Sequence, residues 1–322
     1  MERRIKAILK IISESNRPIG SGEISSSLKE LGIDLPERTV RYHLKQMSEE
    51  GLIKVFWKEG RMITKKGQDE LADARVFDKV GLVSARIESL AYQMSFDLEQ
   101  RSGSIILNLS FFHKSDFPKA LKIMSKVFKK KLAMGERVLM AKGGEEIGGI
   151  KVPAGKVGFG TLCTINLNGI FVKHAIPIES KFGGVLQIED GQPSRFTELI
   201  SYSGSTLDPH EIFIKSKMTS VREAAEGSGK ILAGLREIPA AAKASAEKLM
   251  AQMEEAGMGG ALLLSKPGSE FLGMPVGEQR VGLVVPGGLN PIAAVEEWNI
   301  ETQSKALSAL VDFNNLVSFW DL

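Results

Sequence analysis

Cysteine occurs once in 322 residues, as Cys163, so an internal disulfide framework is excluded. Histidine occurs four times. With one cysteine and no ligand pair at zinc-finger spacing, a structural metal site is not expected. No apolar run reaches the length of a membrane span, and "MERRIKAILK" has no signal-peptide core. The expectation is a cytoplasmic protein without a membrane partner. Nucleotide fingerprints are incomplete: "GFGTLC" lacks the third glycine of a dinucleotide loop, and "GSGKIL" lacks the hydroxyl residue and upstream glycine of a phosphate loop. His113, His174 and His210 stand at no recognisable spacing from a serine or cysteine nucleophile. Cys163 lies in an expected buried strand, where an inert core thiol is the simpler reading. Glu145 and Glu146 flank a glycine turn and read as solvated charge. No catalytic constellation emerges, so neither an enzyme nor a cofactor is expected.

What the chain does contain is an ordinary globular composition, 43% hydrophobic and 25% charged, with length for two or more domains. The net charge of +3 is unevenly spread. Residues 1–75 hold 15 Lys and Arg against 12 Asp and Glu, whereas the remainder holds 27 of each. The small basic surplus therefore sits at the N-terminal end.

That end reads as three short helices and a hairpin. "RRIKAILKIISESNRPI" turns Ile5, Ile8, Leu9 and Ile12 inward, and "SGEISSSLKELGI" turns Ile24 and Leu28 inward, with Gly32 as its stop. The third helix starts near Pro36 and repeats Val40, Leu44 and Met47 on one stripe. Arg38, Thr39, Arg41, Tyr42 and Lys45 fall on the other side. "KVFWKEG" and "RMITKKG" then form two short strands around Lys58-Glu59-Gly60. This is the pattern of a winged helix-turn-helix, whose third helix enters the DNA major groove while wing residues, here Lys58 and Arg61, meet phosphates. A three-helix interaction module with a solvated basic face is the alternative.

From Val80 the chain repeats itself. "MGERVLMAKGGEEIGGIKVPAGKVGFG" (134–160) lies without a gap over "MGGALLLSKPGSEFLGMPVGEQRVGLV" (258–284), identical at ten of 27 positions. "SGSIILNL" (102–109) lies over "SGKILAGL" (228–235), and "KIM" (122–124) over "KLM" (248–250). The expected fold is α/β: a winged helix-turn-helix over 1–75, then an internally duplicated two-lobe α/β effector domain over 80–322, with repeats of about 80–195 and 200–322. Each repeat opens with a buried strand, Ile105–Leu109 or Ile231–Leu235. A helix from near Pro118 or Pro239 follows, then strands at 137–141 or 261–265 and beyond a glycine-rich turn. The lobes could share a mixed sheet or face each other across a cleft. A body built only for dimerisation is the other possibility.

The repeats diverge in two places. "VGFGTLCTINLNGIFVKHAIPI" reads as a long hairpin turning at Asn168-Gly169. Its counterpart reads as a strand, then Gly287 and Gly288, then a helix capped by Asn290 ahead of Pro291, either an anion cradle or an ordinary capped helix. Where the first copy has Ser110 the second has Arg236, which needs a protein or ligand carboxylate. The stretch between the copies adds Arg195 and the hydroxyls of Ser203, Ser205 and Thr206, and Asp208-Pro209 reads as a helix or turn start.

These parts, in this order, resemble the archaeal NrpR family of nitrogen-regulatory transcriptional repressors. The resemblance rests on "ERTVRYHLKQM", "GRMITKKGQDEL", "RIESLAYQMSFD", "PAGKVGFGTLCTINLNG", "SKFGGVLQIEDGQPSRFTELI", "GSTLDPHEIFI", "GSGKILAGLREIPA" and "GGLNPIAAVEE". It implies a repressor of nitrogen-assimilation genes, bound to palindromic double-stranded DNA as a dimer or higher oligomer and released by 2-oxoglutarate. It also implies that a partner regulatory protein takes part in some systems. Arg236, Arg195, Ser205, Thr206, Gly287, Gly288 and Asn290 are the groups suited to such a dianion. A constitutive DNA-binding dimer and an enzyme of small carboxylic acids fused to a DNA reader are the competing readings.

Overall fold

The computed structural model describes residues 3–15, 17–30, 33–71 and 82–322. The chain divides into two compact units, Met1–Gly81 and Leu82–Leu322. Gly32 and the boundary segment 72–81 lie outside the described residues.

In the first unit, α1 (Arg3–Glu14), α2 (Ser21–Glu30) and α3 (Glu37–Glu49) pack around Ile8, Leu9, Ile12, Ile24, Leu28, Val40, Leu44 and Met47, all buried. The i, i+4, i+7 spacing read from the sequence is what aims them at one core. Pro36 sits at the N-cap of α3, one residue before the helix proper. Leu52 and Ile53 anchor β1 (Ile53–Phe56), which pairs antiparallel with β2 (Gly60–Ile63) to form the wing. Ile19 bridges to Arg61 and adds a third short rung. Residues 65–71 form α4, and Leu71 returns to the core.

The second unit begins with α5 (Val83–Gln93). The first repeat follows: β3 (Ser104–His113), α6 (Phe117–Lys129), β4 (Arg137–Lys142), a hairpin of β5 (Glu146–Ile147) and β6 (Ile150–Lys151), β7 (Lys156–Leu162), α7 (Ile165–Lys173) and β8 (Glu179–Glu189). After β9 (Gln192–Ser201), α8 (Pro209–Lys215) and α9 (Val221–Glu226), the pattern recurs. It runs through β10 (Gly229–Pro239), α10 (Lys243–Glu255), β11 (Leu263–Leu264), β12 (Arg280–Pro286), α11 (Asn290–Glu296) and β13 (Gln303–Asp312), with a terminal β14 (Val317–Ser318).

The strands make two five-stranded sheets, ordered β13-β3-β7-β4-β14 and β11-β12-β10-β8-β9, with every pairing antiparallel. The shared mixed sheet, one of the two arrangements expected from the sequence, is not adopted. The last strand of each repeat leaves its own sheet and joins the other: β8 pairs with β10, and β13 with β3. The repeats are thus interlocked, and a single hydrophobic core runs through both. Their equivalent points meet where a Cβ on Gly135 would lie 2.5 Å from the Gly257 carbonyl oxygen and one on Gly259 would lie 2.4 Å from the Gly135 nitrogen. Both glycines take φ near +70°, so the repeated Met-Gly serves a close backbone crossing.

The segment read as a hairpin at Asn168-Gly169 is helix α7 instead. Its residues from Ile165 to Phe171 are buried all round, which removes the amphipathic period that marks a surface helix. Asn-Gly here packs against Met94, since a Cβ on Gly169 would lie 2.5 Å from the Met94 methyl carbon.

Candidate functional site

The first unit presents an exposed basic surface. Arg38, Arg41, Tyr42 and Lys45 on α3 point outward, Tyr42 with 63% of its surface exposed, and Thr39 is half-buried. The apolar stripe holds α3 down and so fixes which side these residues occupy. Arg41 is engaged locally: its Nη2 donates to Glu37 Oε1 at 2.6 Å, and its Nε reaches Ser21 Oγ at 3.2 Å. Ser21, then Arg41, hold the Glu37 carboxyl below its ordinary range. Lys45 lies 3.9 Å from Glu49, a weak solvent-exposed pair. Lys58 is exposed at the wing tip, and Arg61 is half-exposed on β2. Beside them Trp57 stands 85% exposed, an apolar surface that reading for charge alone does not flag.

The second unit holds a buried guanidinium. Arg236 on β10 has no accessible surface. The register against β8 shifts at Leu235/Arg236, a bulge that re-aims the side chain. Its Nε donates to Asn168 Oδ1 and its Nη2 to Thr164 Oγ1, both at 2.8 Å. Its Nη1 is buried with no hydrogen-bond partner. Among the described residues no carboxylate pairs with it: Glu237 faces the other way and reaches Arg280 Nε at 3.5 Å. Burial lowers the Arg236 pKa, yet a guanidinium keeps its proton in a protein. A charged donor left unpaired inside a protein is costly.

Gly234 gives this group its room. A Cβ there would lie 2.9 Å from Arg236 Nη1 and 3.6 Å from the Tyr202 hydroxyl. Thr164 also lines a small cavity of about 10 Å³, with Asn108, Cys163, Tyr202, Asp208, His210, Ala306 and Leu307. That is room for one water at most. Burial raises the Tyr202 hydroxyl pKa and pushes the Cys163 thiol up to about 12, so Cys163 is an inert thiol at neutral pH. Burial lowers the His210 pKa against the pull of Asp208. His210 Nε2 lies 3.3 Å from the Ala233 carbonyl oxygen, which can only accept, so a neutral ring carries its proton there. Asp208 caps α8, accepting from the His210 and Glu211 N–H groups, and so positions both.

The other residues suited to a dianion do not gather here. Arg195 is exposed on β9. Ser205 closes a local turn with Leu207, and Thr206 is exposed. The Gly287 N–H is taken by the Leu232 carbonyl at 2.7 Å. Gly288 is pressed against the Leu162 carbonyl and lines the cavity wall. Asn290 is not the N-cap of α11, a place held by Leu289. Its side chain is fully buried, accepting from the Leu232 N–H at 2.8 Å and donating to the Leu132 and Leu232 carbonyls. Asn166 does the same to Ile106 in the first repeat. The pair clamps a strand to a helix, and the aligned asparagines were the signal for it. Among the described residues no His, Cys, Asp and Glu cluster could hold a metal, and no helix is long and apolar enough to cross a membrane.

The family profile described as NrpR regulatory domains NRD1 and 2 matches residues 80–318. The chain belongs to the NrpR family. The Ribonuclease R winged-helix profile matches residues 6–71 of this NrpR-family chain. Global nitrogen regulator NrpRI of Methanosarcina mazei is 36% identical to it, over 98% of each chain. Global nitrogen regulator NrpR of Methanocaldococcus jannaschii is 30% identical over 98% of this chain, which spans 55% of that longer relative. The crystal structure of a nitrogen repressor-like protein from Methanococcus jannaschii superposes with a TM-score of 0.63 at 27% identity, covering 74% of this chain and 98% of that one. Membership places the chain among nitrogen-regulatory transcription factors with a winged-helix reader.

Proposed function

We propose that this chain represses nitrogen-assimilation genes by binding a palindromic operator as a dimer or higher oligomer, and that 2-oxoglutarate releases it. The observation that carries the reading is the outward basic face of α3 beside an exposed wing, in a chain of the NrpR family. Arg38 and Lys45 reach the groove, Arg41 joins them by exchanging Glu37 for a phosphate, and Lys58 and Arg61 hold the backbone. A dianion needs a desolvated cation and hydroxyl donors, and Arg236 with Tyr202 and Thr164 is the set that supports this part of the reading.

Operator binding and ligand calorimetry test it together. On a duplex selected from a random pool, Arg38→Ala should weaken binding by about 1–3 kcal/mol, and Lys58→Ala should flatten the salt dependence by about one counterion. Unchanged affinity in both removes α3 and the wing from the interface. Heat from millimolar 2-oxoglutarate, with a matching fall in operator affinity, is the expected ligand result. Neither heat nor release leaves a constitutive DNA binder.

A further inference from the structure

Residues 306–308 of β13 form a bulge over the cavity. The pairing of β13 with β3 loses register between Lys305 and Ala309, and Leu307 takes a left-handed φ of 52°, a conformation a leucine keeps only when its surroundings impose it. Three contacts impose it. The Ala306 N–H donates to Glu211 Oε1 at 2.6 Å, the Leu307 N–H to Asn108 Oδ1 at 3.3 Å, and Arg86 Nη2 donates to the Leu307 carbonyl at 3.4 Å.

Arg86 belongs to α5, the first helix of the second unit in chain order after the segment that follows the DNA reader. The helix rests on the cavity wall as well as on the bulge. Its Val83 N–H donates to the Ser205 carbonyl at 2.9 Å, its Ser84 N–H to the Tyr202 carbonyl at 3.4 Å, and Ile87 lines the cavity. Two parts of α5's seat, Tyr202 and the 306–308 bulge, are therefore parts of the cavity wall.

We propose that the small dicarboxylate of the preceding section seats one carboxylate against Arg236 Nη1 and the Tyr202 hydroxyl, that its entry displaces the 306–308 bulge, and that α5 reads this displacement through Arg86. The inference rests on the effector reading. Its force comes from size: the cavity lined by Tyr202 and Thr164 has room for about one water, and Arg236 lies behind its Thr164 wall, so a keto-dicarboxylate reaches the guanidinium only if a wall moves and only the opened form binds. A ligand with that preference shifts the population toward the opened form. The bulge is the wall with strain to release, and Arg86 links it to the helix that leads back to the reader. By linkage, DNA binding must weaken ligand binding by the same factor.

The test uses the full-length chain, 2-oxoglutarate and the selected duplex. The expected result for Arg86→Ala is ligand affinity within about threefold of the parent, with the ligand-induced loss of DNA affinity reduced tenfold or more. Equal release in Arg86→Ala and the parent overturns the coupling while leaving the effector reading intact. Absence of ligand heat with the parent chain overturns both. Hydrogen exchange on the parent chain needs no variant: added 2-oxoglutarate should speed exchange at the Ala306 and Leu307 amides and alter it at Val83 and Ser84. Ligand binding with exchange unchanged at all four amides overturns the moving-bulge assignment.

Discussion

The two repeats of the second unit share a scaffold and differ in their buried polar groups. In both, an asparagine at the start of the last helix, Asn166 or Asn290, grips the backbone of the first strand, at Ile106 or Leu232. In both, the final strand crosses to the other sheet. At the aligned positions beside these shared parts the chemistry separates. Arg236 stands against Ser110, Thr164 against Gly288, and Asn168 against Ile292. Ser110 settles for a neutral hydroxyl contact with Ser304 at 2.8 Å, whereas Arg236 carries an unpaired charged donor into the core. Asn108 fills the place that Gly234 leaves open in the second repeat. A duplicated fold needs its clamps twice, but it needs a ligand cation once. Features kept in both copies therefore speak for stability, and a costly group in one copy speaks for function.

The largest expected effects fall on the shared clamps. Asn166→Ala and Asn290→Ala each remove three buried hydrogen bonds and take the side-chain acceptor from the N–H of one central residue, Ile106 or Leu232, whose carbonyl keeps only the N–H of Cys163 or Gly287. Each should lower unfolding free energy by about 3–5 kcal/mol. Urea titration of the two variants should return similar losses. A loss confined to one of them breaks the equivalence of the repeats.

Arg236→Met sharpens the comparison from the other side. It removes an incompletely paired charge and keeps most of the volume, so stability should stay level or rise by about 1–3 kcal/mol. Ligand heat should disappear in the same variant. A marked destabilisation would mean that Asn168 and Thr164 already repay the burial of the guanidinium, and that Arg236 is a structural residue.

Legibility followed periodicity. The helices of the first unit could be read because Val40, Leu44 and Met47, or Ile24 and Leu28, leave a polar face behind them. The duplication could be read from aligned glycines and Met-Gly pairs, and Arg236 from its mismatch with Ser110. Helix α7 could not be read, because a helix buried on every side has no polar face and "NLNG" imitates a turn. The strand exchange could not be read either, since β8 and β13 have the same local pattern whichever sheet receives them. In the sequence Asp208 and His210 read only as a helix start and a scattered histidine, and their nearness to Arg236 comes from the packing of α8 on β10.

The smallest effect expected tests how dry the second repeat's site is. His210 is the one buried histidine among the described residues of the second unit. Burial lowers its pKa from the ordinary 6.5, while Asp208 works in the opposite direction. In the unfolded chain the ring takes up a proton as pH falls through about 6.5, whereas the folded ring refuses it until lower pH. The unfolded state then binds more protons, so this group makes stability rise with pH across that window and flatten above it. Thermal melts between about pH 5 and pH 7.5 should show the rise, and His210→Gln should reduce it while keeping a donor toward the Ala233 carbonyl. An equal rise in His210→Gln would assign the pH dependence to other groups. A parent chain whose stability falls as pH rises from 5 to 6.5 would mean that Asp208 dominates and holds the ring charged, and the cavity would then be walled by an Asp208–His210 ion pair.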